Sequence, residues 1–319
     1  MLSTNAVASA IILALPGPLF LTGILAGVRA DRHPRLIRQL TSISAIYALV
    51  SALFVVWGSG LGLHGSEAYA SLALPGRAGT ISLSVYADPL TVIMLLLVTF
   101  VGFIVSRYSA SYMEGDRHEG QFHRWLSLTL AAFLTLIMTS NFWVFVLASF
   151  ATTAFYGRLL SFYEQRPGAA LAARQKSIFS VVANASMLGA FMLVAQSLHT
   201  SDFGDLRRAL AHLHGGLPPS LEVAAGLVAL SAVLKSAQFP THVWLIQVME
   251  APTPVSALLH AGIIYTGTFL VLRMSPLMSG ISWTGVALVI IGLVSITAGS
   301  TMMMTATAIK ASADRRSCG

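Results

Sequence analysis

A single cysteine, Cys318, is all the thiol chemistry that the 319-residue sequence holds, which excludes both a disulfide framework and a multi-cysteine metal site within one chain. The nine histidines lack the paired spacing of a zinc helix, so no metal site is expected. His118, His123, His199, His212 and His214 fall in predicted loops, where a solvated histidine is the ordinary expectation. Charged residues are scarce, at 10% of the chain, against about 25% in soluble domains. There is no glycine-rich phosphate loop, haem-binding pair or flavin fingerprint, so no cofactor is expected and redox chemistry would have to come from a partner. No serine or cysteine nucleophile is accompanied by a recognisable base, and no catalytic residue is assigned.

What fills the chain instead is apolar. Hydrophobic residues make up 55% of it, with a mean hydropathy of +0.76. Apolar windows long enough to cross a hydrocarbon core, roughly 20 residues each, lie near 5–28, 41–63, 88–105, 125–140, 142–163, 177–198, 221–239, 253–272 and 281–304. The pattern predicts an all-α, polytopic membrane bundle of about nine helices. The first window has no basic segment before it and a cluster of arginines after it, so it reads as a span rather than a cleavable signal peptide.

That cluster sets the expected orientation. Arg29, Arg32, Arg35 and Arg38 place the first loop in the cytoplasm and the N-terminus outside. The other predicted cytoplasmic segments collect Arg107, Arg117, Arg124, Arg158, Arg166, Arg174, Lys176, Lys310, Arg315 and Arg316. The predicted outer loops hold only Arg77, Arg207, Arg208 and Arg273, and Lys235 is left within the membrane. This asymmetry accounts for the net charge of +7 without any nucleic-acid partner. Of the outer loops, 65–87 alternates at Ile81-Ser82-Leu83-Ser84-Val85-Tyr86 and predicts a short strand or hairpin. The loop at 199–220 holds a short amphipathic turn over Asp202–Arg208, ended by Gly215-Gly216-Leu217-Pro218-Pro219.

The stretch from Lys235 to His260 sets an ammonium and an imidazole in apolar surroundings, beside Pro240, Pro252 and Pro254. Proline interrupts helical hydrogen bonding, and a break at membrane depth is tolerated only where protein or water satisfies the freed groups. A lysine beside such a break reads as part of an ion or proton path. Glu250 and His242 remain open between relay and structural roles: the first as relay acid, cation partner or helix-end charge, the second as lining of a wet entry or interfacial histidine.

Leu234-Lys235-Ser236-Ala237-Gln238-Phe239-Pro240, Trp244-Leu245 and Met249-Glu250-Ala251-Pro252-Thr253-Pro254-Val255-Ser256-Ala257-Leu258-Leu259-His260-Ala261 resemble the signature of the proton-translocating antiporter-like membrane subunits. That superfamily includes subunit L of respiratory complex I, the large Mrp antiporter subunit and the DabB subunits of bacterial inorganic-carbon accumulation. The likeness runs from Tyr86-Ala87-Asp88-Pro89-Leu90 through Lys310, dividing the chain into N-terminal helices and outer loop (1–85), an antiporter-like domain (86–310) and a polar tail (311–319). Complex I and Mrp subunits usually read Trp-Leu-Pro-x-Ala-Met in the break, whereas this chain reads Trp244-Leu245-Ile246-Gln247-Val248-Met249. That wording, with Phe162-Tyr163-Glu164-Gln165-Arg166-Pro167, is most similar to DabB.

The resemblance implies proton-relay roles for Lys235 and His260. It also implies a multi-pass subunit of the bacterial inner membrane that conducts protons or another cation and energises a DabA-like, zinc-containing, carbonic-anhydrase-like partner handling carbon dioxide or bicarbonate. The alternatives are a subunit 5-like proton pump of NADH-quinone oxidoreductase, an Mrp-type cation/proton antiporter subunit, or an inactive truncated scaffold. Two departures matter. The glutamate expected in the fifth span aligns with Phe150, and the Arg-x-x-Asp element of the next span aligns with Val181 and Asn184, so a paired acid is expected to be missing. After Lys310 the chain leaves the family's path for Ala313-Asp314-Arg315-Arg316-Ser317-Cys318-Gly319, which reads as a truncated or out-of-frame end lacking the second repeat.

Overall fold

The computed structural model describes residues 4–59, 65–73, 80–162, 167–212, 217–242, 245 and 252–316. The chain opens with α1 (Thr4–Ala14) and α2 (Gly17–Ala26), a 3₁₀ turn over Gly27–Arg32, and α3 (Pro34–Ser59). An antiparallel hairpin follows, β1 (Gly65–Ala73) on β2 (Thr80–Ala87), paired from Gly65 opposite Ala87 to Ala73 opposite Thr80. Then come α4 (Pro89–Tyr112), α5 (Glu119–Met138), α6 (Phe142–Leu160), α7 (Pro167–Leu198), the short α8 (Phe203–Ala211) and α9 (Pro219–Lys235). Beyond the break lie α10 (Thr253–Ala261), α11 (Thr266–Arg273), α12 (Ser275–Met278) and α13 (Ser282–Arg316).

Among the described residues each of the nine apolar windows falls mainly on helix, and seven helical segments are long and apolar enough to cross a membrane. α5 and α9 fall outside that set and pack within the bundle, α5 buried on nearly every side from Phe122 to Met138 and α9 lying along α7. The first window is two helices rather than one. Pro16 and Pro18 supply no backbone N–H, so α1 ends at Ala14 and α2 restarts at Gly17.

Helix starts follow the residues that can satisfy free N–H groups. Asp88 accepts from Thr91 N at 2.8 Å, Asn141 from Trp143 N at 3.0 Å, and Asp202 from Gly204 N at 2.7 Å. These three caps gather at one end of the bundle. There Ser140 N donates to Ser84 O (3.3 Å), Phe142 N to Ser201 O (2.8 Å) and Phe203 N to Ser140 O (2.8 Å), while the Ser140 hydroxyl bonds both Ser84 and Asp202. Beneath them Phe142, Phe145, Phe191 and Phe203 pack face and edge, with Phe269 stacked on Phe145.

Arg273, placed in an outer loop by the sequence, is instead buried at this end. Its guanidinium pairs with Asp88 at 3.0 Å, bonds Thr91 at 2.7 Å and the Ile137 carbonyl at 3.3 Å, and lies over the Tyr86 ring. At the opposite end Arg38 pairs with Glu114 (3.2 Å) and Glu119 (3.3 Å), and Gln121 N donates to Asp31 at 2.8 Å. Gly120 is needed there, because a Cβ would run into the Ala30 carbonyl.

Candidate functional site

α9 delivers Lys235 as its last residue, after which Ala237 adopts a positive φ of 49° and the chain turns through Gln238–Thr241. The Lys235 ammonium donates to Ser149 Oγ of α6 at 2.6 Å and to Asn184 Oδ1 of α7 at 2.5 Å. Ser149 in turn donates to Asn184 Oδ1 at 2.8 Å, closing a three-residue ring of hydrogen bonds. The group opens onto a cavity of about 30 Å³, room for one or two waters. Ser149, Thr152, Ser180 and Thr266 give it hydroxyls, and Leu136, Leu259 and Ile263 give it apolar wall.

A second cation shares the cavity. Lys176, counted from sequence among the cytoplasmic loop charges, is buried on α7 with its ammonium 4.8 Å from the centre of the Tyr156 ring, and it lines the same cavity as Lys235. α7 begins at Pro167, so Lys176 lies more than two turns into it rather than in a loop. No aspartate or glutamate lines the cavity among the described residues. The site therefore presents two ammonium groups, neutral acceptors and space for water, an arrangement that can hold and pass protons but has no fixed negative charge with which to trap a metal cation.

The other residues singled out from sequence are placed differently. His260 lies on the exposed face of α10, while its neighbour Leu259 lines the cavity; the structure does not bring His260 to Lys235. His242 sits in the turn after α9, half-buried, its ring stacked on Phe239 at 5.5 Å. Glu250 and Trp244 lie outside the described residues. Phe150, aligned with the family's glutamate, points outward, and the preceding Ser149 faces Lys235. Asn184, aligned with the family's aspartate, does meet the lysine.

Sequence reasoning missed Lys176, and missed Ser149 in favour of Phe150. The available signal was helical spacing: Lys176, Ser180 and Asn184 recur every four residues on α7, and Ser149, Thr152 and Tyr156 at three and four on α6, so each set shares one face.

The family described as NADH:quinone oxidoreductase/Mrp antiporter, TM, matches residues 140–313. That described as NADH-Ubiquinone oxidoreductase (complex I), chain 5 N-terminus, matches residues 77–123. The chain is similar to a protein of Halothiobacillus neapolitanus named as a probable inorganic carbon transporter subunit DabB2, 38% identical over 302 residues, which cover 95% of this chain and 55% of that one. A probable inorganic carbon transporter subunit DabB of Hydrogenovibrio crunogenus is 40% identical over 222 residues, covering 69% and 43%. Among solved structures, the Mrp complex from Dietzia sp. DQ12-45-1b superposes with a TM-score of 0.67 and 25% identity, over 85% of this chain and 28% of the matched one. The chain spans about half the length of the relatives it matches.

Proposed function

Because the chain belongs to the NADH:quinone oxidoreductase/Mrp antiporter membrane family, we propose that it is a DabB-type subunit of an inorganic-carbon accumulation complex in the bacterial inner membrane, and that the Lys235 cavity is its proton-handling site. The observation that carries this reading is the buried ammonium of Lys235, held at a helix break by two neutral acceptors beside a second lysine. Two like charges in a low-dielectric space repel, so a proton arriving at one lysine favours departure from the other. The cavity has room for water, which with the hydroxyls of Thr152, Ser180 and Thr266 would link the two lysines.

His260 is the proposed onward acceptor, reached past Leu259 on the outer face of α10, and His242 and Glu250 flank the break as relay or structural groups. The proton or cation flux energises a DabA-like partner, which carries the zinc and hydrates carbon dioxide. Similarity to an Mrp complex favours cation/proton antiport as the second reading. Copurification separates the two: a carbonic-anhydrase-like zinc subunit supports the first, and a set of Mrp or complex I membrane subunits the second.

Lys235 is the direct test. In the native complex Lys235→Ala is expected to abolish carbon-dependent growth and proton flux at unchanged membrane abundance. Lys235→Arg keeps the charge but exchanges protons poorly, because guanidinium does not release its proton in the working range, and at least a tenfold loss of flux is expected. Normal flux in both variants at matched abundance rejects Lys235 as a proton carrier.

A further inference from the structure

The Lys235 cavity leaves unused a second buried polar group at the arginine-rich end. His123, placed in a loop by the sequence, is fully buried on α5, and neither ring nitrogen has a hydrogen-bond partner among the described residues. Ser106 Oγ and Ser109 Oγ of α4 are buried in the same condition, and Glu119 of α5 is buried with Arg38 as its charge partner.

These atoms converge on one junction. Gly102 of α4 sits against Leu130 of α5, and the two helices run antiparallel. Moving toward the arginine-rich end from that contact brings Ser106 to the level of Ser127 and Ser109 to the level of His123. From the third side, Thr41 of α3 lies 2.9 Å from the Ser127 hydroxyl and 3.5 Å from the His123 carbonyl. Four buried polar atoms without partners in one three-helix junction are costly in a dry interior, and native proteins satisfy such groups with ordered water.

The junction has a polar outlet. Arg38 reaches Glu119 at 3.3 Å and Glu114 at 3.2 Å. It also lines an open basin between α3 and α4, of about 540 Å³, with Gln39, Ser42, Arg107, Ser111 and Glu114. The charge that acts on His123 is Arg38 from α3; Glu119, one turn earlier on the same helix, pairs with Arg38, and Arg107 and Glu114 line the basin beside it.

We propose that the junction of α3, α4 and α5 around His123 is a proton-binding site that holds ordered water and opens through the Arg38–Glu119 pair onto the basin between α3 and α4. It is separate from the Lys235 cavity. Leu136, which lines that cavity, lies 13 residues along α5, or about 20 Å, and buried Leu130, Phe133 and Leu134 occupy the interval. The use of this site in transport rests on the proposed function, but its existence does not.

The test therefore reads hydration and protonation rather than flux, on the full chain in lipid nanodiscs. X-ray hydroxyl-radical footprinting oxidises side chains that adjoin water, including water bound inside a protein. His123 is expected to oxidise within tenfold of exposed His118 and at least tenfold faster than Phe133, which is equally buried among apolar neighbours. Oxidation of His123 no faster than Phe133 overturns the proposal. Selective ¹⁵N-histidine NMR then follows the His123 ring from about pH 3 to about pH 8, spanning its lowered pKa, the signal being assigned by its loss in His123→Gln or, should that variant not assemble, by correlation to Phe122. Burial and then the Arg38 guanidinium lower the His123 pKa to about 4, so conversion from neutral imidazole to imidazolium is expected near the bottom of this range, with a still lower midpoint in Glu119→Gln because a neighbouring negative charge has been removed. A ring that keeps one neutral tautomer throughout overturns the proposal. Either failure leaves the Lys235 result standing on its own flux measurements.

Discussion

Ser149 and Phe150 are consecutive on α6 and point about 100° apart, so only Ser149 reaches Lys235 while Phe150 faces outward. The hydrogen bonds of a buried ammonium count for more than those of a neutral group. Replacing Asn184 by leucine, which removes one of the two acceptors, is expected to cost about 1–3 kcal/mol. Phe150→Leu should stay within about 0.5 kcal/mol. Thermal unfolding in a single detergent compares the two, and equal losses would show that the ring of hydrogen bonds adds nothing to stability. Lys235 was legible in the sequence because no other charge lies near it among apolar residues. Lys176, His123 and Arg273 were not, because each stands close to other basic or polar residues and so looks like loop material. Burial of such a group depends on where its helix starts and what packs against it. For Lys176 the start is Pro167, and for Arg273 the burying partner is Asp88, 185 residues away in sequence.

At the scale of elements the sequence carried most of the fold. The alternation over 81–86 became β2, the amphipathic Asp202–Arg208 stretch became α8, and the proline-marked break ended α9 at Lys235. The division of the first span into two helices was less legible, since the apolar run continues through Pro16 and Pro18 and only the missing N–H groups mark the joint. The pairing of α8 with the 139–141 turn was invisible, because it joins residues far apart in sequence, through the Asn141–Asp202 bridge and the Ser140–Asp202 hydrogen bond, 62 residues apart. That pairing has a measurable consequence. Burial raises the Asp202 carboxyl above its ordinary range, although the Ser140 hydroxyl and the Gly204 amide act in the opposite direction. A folded-state pKa above the unfolded one gives stability that is fully present below the unfolded value and lost as pH rises through the folded one. The thermal midpoint is therefore expected to fall as pH is raised from near 4 toward neutrality. In Asp202→Asn, which keeps a capping oxygen but cannot ionise, that slope should flatten. An unchanged slope in the variant would assign the pH dependence elsewhere.

Over the whole molecule the loops sort into two ends by contact as well as by charge. Asp31 touches Gln121 and His118, and Arg38 touches Glu114 and Glu119, which gathers the segments near 27–38 and 110–124 at one end. Ser84, Asp88, Ser140, Asp202 and Arg273 gather the hairpin, the 139–141 turn, the α8 loop and the end of α11 at the other. The arginine count had divided the loops into the same two sets without any structure, because each set lies on one side of a common barrier. α13 adds a long outward face of Val286, Val289, Ile290 and Leu293, suited to lipid or to the helices of another subunit. By the positive-inside rule the arginine-rich end is expected to face the cytoplasm. Exposed His33 and Arg207 mark the two ends, and each can be replaced by cysteine after Cys318→Ser removes the native thiol. With a membrane-impermeant maleimide on intact cells stripped of outer-membrane barriers, Arg207→Cys is expected to label at least tenfold faster than His33→Cys, and the difference should vanish on permeabilisation. Faster labelling of His33→Cys in intact cells would invert the molecule, placing the α3–α4 basin and His123 on the periplasmic side while leaving the grouping of the loops intact.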